Sequence, residues 1–388
     1  MSDNTKSNNT VEILFSLLSF EMGGEYRRDP AELLDDMTLA KVCELADFHD
    51  LAHLIANALA RLSVVPKSEK LANAISQKQL RAILRAERAD SELSAVSELF
   101  ESEGIDFIPL KGAVLRELYP ERWMRTSGDV DVLVREDDVN RAAELLCQKL
   151  SYVFEGNGGH DLQLKSPSGV PFELHFRLVD DGFAAEPLDR VWDYTASQAD
   201  TPHRKSLTDE MFVFYHLVHM AKHIRNGGCG IKPLLDLLAL KQSGKLDVST
   251  ELMKKHGTDR LFEVSKRLVR VWFEGESHDG LTKSLEDYVL RAGVYGNLQN
   301  AVAAGKAKNG GKLGNLLARA FLPYDVMKYM YPILKKHKWL LPFCHVARWF
   351  GALFGGRGKR AINELKLNSA APKNTAEVSN LLSDLGLT

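Results

Sequence analysis

The stretch RTSGDVDVLVRED, residues 125–137, sets Asp129 and Asp131 two residues apart in a run of valine and leucine. Side chains alternate along a strand, so both carboxylates share one face, roughly 7 Å apart. Val130, Val132 and Val134 take the opposite, core-facing side. Like charges on one face repel unless a cation lies between them. Hard oxygen donors at this spacing suit Mg²⁺ or Mn²⁺. The competing reading is a strand end with two solvated acids.

Three neighbours weigh against that bland reading. In FELHF, Phe172, Leu174 and Phe176 face a core, so Glu173 and His175 share the other side of a second strand. Glu173 is thus a third candidate ligand, and His175 a group to orient it or carry a proton. FIPLKGAVL ends a strand at Lys111-Gly112 and opens a helix, where a glycine lets backbone approach phosphate. Arg125 and Ser127 precede the acids, and an arginine fork there could grip a triphosphate. Farther on, HLVHMAKHI places His216, His219 and His223 on one helical stripe. No fourth ligand of the right kind lies nearby, so zinc is not favoured, and His219 and His223 are expected to line the cleft. Lys232 is a candidate phosphate contact, held by Asp236 four residues later; a surface pair is the alternative. His160 is expected to be exposed.

These side chains need a frame. Residues 10 to about 103 show helical periodicity, with a start at Asp29-Pro30 and a stop at Gly104. Between 105 and 180 the texture changes to short apolar runs: IDFIPL, DVDVLV, SYVFEG, HDLQLKS and VPFELHFRL. The last two face each other across the turn SPSG. From about 207 helices return, interrupted by RNGGCG. The expected fold class is α+β: a small mixed-sheet core flanked by N- and C-terminal helical regions. The expected divisions are 1–104, 105–205, 206–366 and a loose tail at 367–388 bearing one short helix.

Net charge over the 388 residues is −2, yet residues 301–366 hold thirteen Lys or Arg against Asp325 and Glu364. A basic third of this kind suits phosphate-rich or membrane partners, or is a solvated helical face. Trp339, Trp349, Tyr324, Tyr329 and Tyr331 are interleaved there. No nucleic-acid reading module is visible, so RNA is possible but not favoured. WLLPFCHVARWFGALFGG contains Arg348 and is too short to span a bilayer. A buried helix is expected, with peripheral membrane contact the alternative. The four cysteines form no CxxC pair, and no cleavable leader is legible, so a cytoplasmic location is expected.

Glycine turn, D-x-D and a distal acid, in this order, resemble the nucleotidyltransferase superfamily typified by DNA polymerase β. LKGAVLRELYPERWMRTSGDVDVLV and FELHFRL are similar to the uncharacterised bacterial nucleotidyltransferase type 5 family over residues 107–178. A weaker likeness continues through 216–240. The resemblance implies Asp129, Asp131 and Glu173 as metal ligands and Gly112 as the phosphate turn. Two departures are visible. Gly112 is followed by Ala113 where Gly-Gly or Gly-Ser is usual, and the stretch from the turn to Asp129 is long. Lys111 or Ser127 is the expected compensation. The implied reaction moves a nucleoside monophosphate from an NTP, ATP by default, to an unknown small-molecule, protein or RNA acceptor. Two rival readings are a non-catalytic nucleotide sensor and an interaction protein working through its basic helices.

Overall fold

The structure, a computed structural model, describes residues 2–26, 28–178, 185–198, 200–294, 296–308, 311–354 and 375–388. The N-terminal periodicity becomes α1 (Ser2–Glu21), α2 (Asp36–Phe48), α3 (Ala52–Arg61) and α4 (Glu69–Glu103). Ser68 caps α4 by accepting from the Leu71 amide, and Gly104 ends it in the left-handed region at φ 67°. Between these caps Ala82, Ala86, Ala89, Leu93, Val96 and Phe100 recur every three or four residues and are buried. One face of this long rod therefore packs inward, and Arg85 and Asp90 reach toward the site.

The strands are β1 (Phe107–Pro109), β2 (Val130–Val134), β3 (Val153–Asn157), β4 (Asp161–Lys165), β5 (Pro171–His175), β6 (Thr195–Gln198) and β7 (Thr201–Leu207). They form one mixed sheet in the order β3-β4-β5-β2-β1-β7-β6. β2 runs antiparallel to β1 and parallel to β5, and β4–β5 is the hairpin expected across SPSG. β6 and β7 lie outside the sequence expectation. Their residues, TASQ and TPHRKSL, alternate no apolar side chains; backbone pairing on a sheet edge holds them.

Short helices α5 (Gly112–Leu115) and α6 (Val139–Leu150) follow β1 and β2. After β5 come α7 (Ala185–Asp189), α8 (Asp209–Arg225), α9 (Lys232–Gln242), α10 (Glu251–Lys255), α11 (Asp259–Glu274) and α12 (Gly280–Ala292). The remainder among the described residues are α13 (Leu298–Lys308), α14 (Lys312–Ala320), α15 (Tyr324–Met330), α16 (Leu341–Phe354) and α17 (Thr375–Asp384). The break between α8 and α9 needs its glycines: Gly228 has φ 115°, and a Cβ there would lie 2.4 Å from Ala292 Cβ.

β2 is buried on both faces because it separates two cores. Val130, Val132 and Val134 join Phe172, Leu174, Phe100 and Leu146 on one side. Leu133, with Ile108 and Leu110, joins a larger helical core fed by α1, α8, α9 and α11 on the other. The acids lie on the Leu133 side, at the edge of that helical core.

Two expectations shift. The expected loose tail has Val378, Leu381, Leu382, Leu385 and Leu387 buried in the helical core, because Val378, Leu381 and Leu382 space apolar side chains along α17 and the two leucines after its end follow them inward; residues 367–374 lie outside the described residues. α16 is not a buried helix: Phe343, Val346 and Phe350 are exposed along it.

Candidate active site

Asp131 and Glu173 are directly paired in register on the parallel strands β2 and β5. Residues paired in this way present side chains to the same face. Two residues along β5, His175 shares that face, and its Nε2 lies 2.9 Å from Asp131 Oδ1 and 3.2 Å from Glu173 Oε2. One ligand atom from each of Asp131, Glu173 and His175 falls within 4.8 Å of the others. Asp129 stands just before the first residue of β2. It lines the same cleft as Asp131 and Glu173 without joining this tight group. The cluster among the described residues therefore includes His175 where sequence reasoning named Asp129, since strand alternation does not govern a residue outside the strand.

Lys111 closes the group from the other side, its Nζ donating to Asp131 Oδ1 at 2.7 Å. Its backbone sits at φ 45°, ψ −115°, a region that costs a side-chain-bearing residue about 1–3 kcal/mol. Gly112 follows, and close packing explains the glycine: a Cβ there would lie 2.9 Å from Ser127 Cβ. Ser127 in turn accepts from Arg116 Nη2 at 2.9 Å. Arg116 is buried and also donates to the Gly112 carbonyl and to Asp90 of α4. Sequence reasoning missed Arg116; its place one helical turn after Gly112 was the available signal.

The expected Lys232–Asp236 pair is not formed. Lys232 Nζ donates to Asp50 Oδ2 at 2.6 Å and Thr126 Oγ1 at 3.0 Å. Asp236 instead accepts from Arg125 Nε at 2.7 Å, Arg125 Nη2 at 3.0 Å and Tyr119 Oη at 2.7 Å. Two buried arginine donors and a phenol satisfy Asp236 fully, while Lys232 stands one turn earlier beside α2. The Arg125 fork is consequently occupied by protein: its Nη1 donates to the Thr126 carbonyl. Asp50, supplied by the N-terminal helices, carried no readable motif.

Lys111, Gly112, Arg125, Ser127, His223 and Lys232 all border one cleft of about 870 Å³, together with Asp129, Asp131 and Glu173. Asp236 lies beneath it and borders a smaller chamber of about 220 Å³. His219 and His223 stand across from the sheet, their Nε2 atoms 3.3 Å apart; His216 Nε2–H donates to the Pro233 carbonyl instead. His160 is half-buried and borders the cleft, contrary to the exposed position expected, because its carbonyl accepts from the amides of Phe176 and Arg177.

Asp161 was also missed. It pairs with His175 across the β4–β5 ladder, borders the cleft, and is buried with its Oδ1 lacking a hydrogen-bond partner. Leu162 and Leu164 point into the opposite core, so the alternation in DLQLK already put Asp161 and Gln163 on the acid face.

The electrostatics describe a site rich in negative charge. Burial, with Asp131 and Glu173 nearby, pushes Asp129 up to about 6. Burial acts the same way on Asp131, but Lys111 and His175 outweigh it and hold this carboxyl below the usual range. His175 loses from burial yet is raised to about 9 by its bonds to Asp131 and Glu173. Across the cleft, burial and Lys222 lower His223 to about 4, so it is neutral near pH 7. Carboxylate oxygens of Asp131 and Glu173 with one imidazole nitrogen of His175 form a donor set that could hold a divalent cation.

A family profile described as uncharacterised nucleotidyltransferase matches residues 35–274. The chain belongs to this family. The nucleotidyltransferase match spans α2 through α11, and so includes the acid strands, the glycine turn and the helices that roof the cleft. Among solved structures, an antigenic nucleotidyltransferase-like protein from Paracoccidioides brasiliensis is similar at 16% identity, covering 51% of this chain and 97% of that one, with a TM-score of 0.33. No curated protein matches the sequence. As a nucleotidyltransferase the chain is an enzyme of nucleotidyl transfer.

Proposed function

We propose that this nucleotidyltransferase moves a nucleoside monophosphate from an NTP, with ATP as donor, to a hydroxyl or phosphate acceptor and releases pyrophosphate. The observation that carries the reading is the in-register pair Asp131–Glu173, bridged by His175, at the floor of a cleft bordered by Lys111, Arg125 and Lys232. Three cations and three acids bordering one cleft match a polyanion presented to a metal. Asp131 and Glu173, with Asp129 beside them and His175 in its neutral form, would hold Mg²⁺ or Mn²⁺. When bound, the ion supplies charge stabilisation at phosphate oxygens and lowers the pKa of a nearby hydroxyl.

The protein's own groups account for the rest. Lys111 and Lys232 present ammonium groups to the phosphates, and Arg125 is fixed by Asp236 so that its position is preset. Gly112, packed against Ser127, brings the backbone of the turn to the cleft border, where a phosphate can meet it. Glu173, and Asp161 with its unpaired Oδ1, are the carboxylates available to receive a proton from the acceptor. We place the reaction in the cytoplasm, in keeping with four free cysteines.

The test is calorimetric titration of ATP with Mg²⁺, together with α-phosphate label transfer in a cell extract. Wild type should bind and transfer label; an Asp131→Ala/Glu173→Ala variant should lose both. Equal affinity in the two proteins would remove the proposed metal site. The Lys111–Asp131 ion pair, which occupies a metal-facing oxygen, favours a second reading, a nucleotide sensor without catalysis. Metal-dependent ATP binding with no pyrophosphate release in any extract would select it.

A further inference from the structure

Large exposed apolar side chains are concentrated in one part of the described chain, residues 313–350. On α14, Leu313, Leu316 and Leu317 follow helical spacing and face water, while Asn315 is buried. On α16, Phe343, Val346 and Phe350 do the same, with Trp339 one turn earlier, while Cys344 is buried. Leu313 and Trp339 are each 69% exposed. An ordinary surface helix turns its apolar stripe inward, and both helices here reverse that arrangement.

The reversal belongs to a folded unit. Met327, Leu334 and Cys344 form a small core of their own. Arg348 Nη2 and Trp349 Nε1 both donate to the Ala320 carbonyl, at 2.6 and 2.9 Å, tying α16 to the end of α14. Phe321, just after α14, packs edge-on against Trp349 of α16 with centroids 5.3 Å apart. Met330 and Ile333 extend the apolar surface, and exposed Lys336 and Lys338 stand just before Trp339.

We propose that residues 312–350 form a docking surface for membranes rich in anionic lipid. Aliphatic and aromatic side chains beside lysines are the composition that settles into the headgroup–acyl boundary. Exposed Lys336 and Lys338, in a segment whose sequence is strongly basic over 301–366, supply the attraction to negative headgroups. α16 has 14 residues and no helix among the described residues is long and apolar enough to cross a membrane, so the contact lies in the surface plane. The same charge argues against a second copy as occupant, since two such basic regions would repel. Leu313, Leu316, Leu317, Met330 and Ile333 would gain nothing from a nucleic acid, which offers them no apolar phase to enter, whereas a bilayer takes up these aliphatic side chains along with the aromatic ones. This surface stands independently of the nucleotidyl-transfer reading.

The test is co-sedimentation of the full chain with vesicles of phosphatidylcholine alone or mixed equally with phosphatidylglycerol. Binding to the mixed vesicles should exceed binding to the neutral ones by at least about tenfold and weaken with salt. Trp339→Glu/Phe343→Glu and Lys336→Glu/Lys338→Glu should each lower binding by about tenfold or more, with an unchanged circular dichroism spectrum. Val65→Glu, a change at an exposed apolar residue elsewhere, should bind as wild type. Absence of binding to either vesicle, equal binding to both, or variants that bind normally would overturn the proposal. So would a dimer that Trp339→Glu dissociates, or an RNA mobility shift, in protein that leaves vesicles in the supernatant.

Discussion

Asp131 and Glu173 lie side by side on parallel strands, and the single nitrogen Nε2 of His175 reaches both carboxylates. No hairpin turn could produce this relationship, because parallel neighbours require a crossover. Here α6, β3 and β4 fill the crossover, and the acids meet only when that segment has folded.

Replacing Asp131 should therefore have two effects. Asp131→Ala removes a proposed ligand and leaves the half-buried Lys111 ammonium without its 2.7 Å partner. Label transfer from ATP should fall at least about 100-fold, and unfolding free energy by about 3 kcal/mol. Activity assays with added Mn²⁺ and urea denaturation would measure the two losses separately; a variant with full transfer removes Asp131 from the site.

Gly112→Ala should damage nucleotide affinity through Ser127. The new Cβ would sit 2.9 Å from Ser127 Cβ, so the loop must move, at a cost of about 1–3 kcal/mol. ATP affinity is expected to fall about tenfold or more. Adding Ser127→Gly relieves the collision and should recover part of the loss in a titration; no recovery would mean that phosphate, not Ser127, needs the space.

Asp236→Ala would strand Arg125, which has lost most of its contact with water. A buried ion pair broken on one side costs about 3–5 kcal/mol. The loss should appear in chemical denaturation. Lys232→Ala, whose partner Asp50 is partly exposed, should cost clearly less stability while weakening ATP binding.

Acid should destabilise the fold through His49 and His53. Both are buried, and burial lowers each from the ordinary 6.5 to about 4. His53 Nε2–H donates to the Met124 carbonyl at 2.9 Å, and His49 Nδ1 accepts from the Ile231 amide. Between pH 6.5 and 4 the unfolded chain binds protons that the folded chain does not, so stability rises with pH across that window. It should be complete above about pH 6.5 and decline toward pH 4 by about 3 kcal/mol per histidine. Denaturation midpoints across this range would show the slope, and His53→Gln should flatten it.

The sheet strands at 107–175 and the helices on either side were legible because alternation and three- or four-residue spacing are strong there. Asp131, Glu173, Gly112 and Lys111 were legible for the same reason: each stands at a defined point of a strand or its end. β6 and β7 were not, since TASQ and TPHRKSL carry no apolar alternation. Partnerships across long separations were equally hidden. Lys232 meets Asp50 and Arg125 meets Asp236 across more than a hundred residues, and local spacing suggested the nearer pair Lys232–Asp236. Asp161 was readable in DLQLK, but the significance of its face depended on knowing that β4 lies beside β5.

The two cores differ in how far apart their members lie along the chain. The core behind the acids draws on residues 89–174, whereas the helical core joins Ile13 to Leu387. During synthesis the first can close while most of the helical layer is still on the ribosome. The second must wait for α17 to emerge, so a nascent chain can carry the acid strands well before it has a finished roof over them.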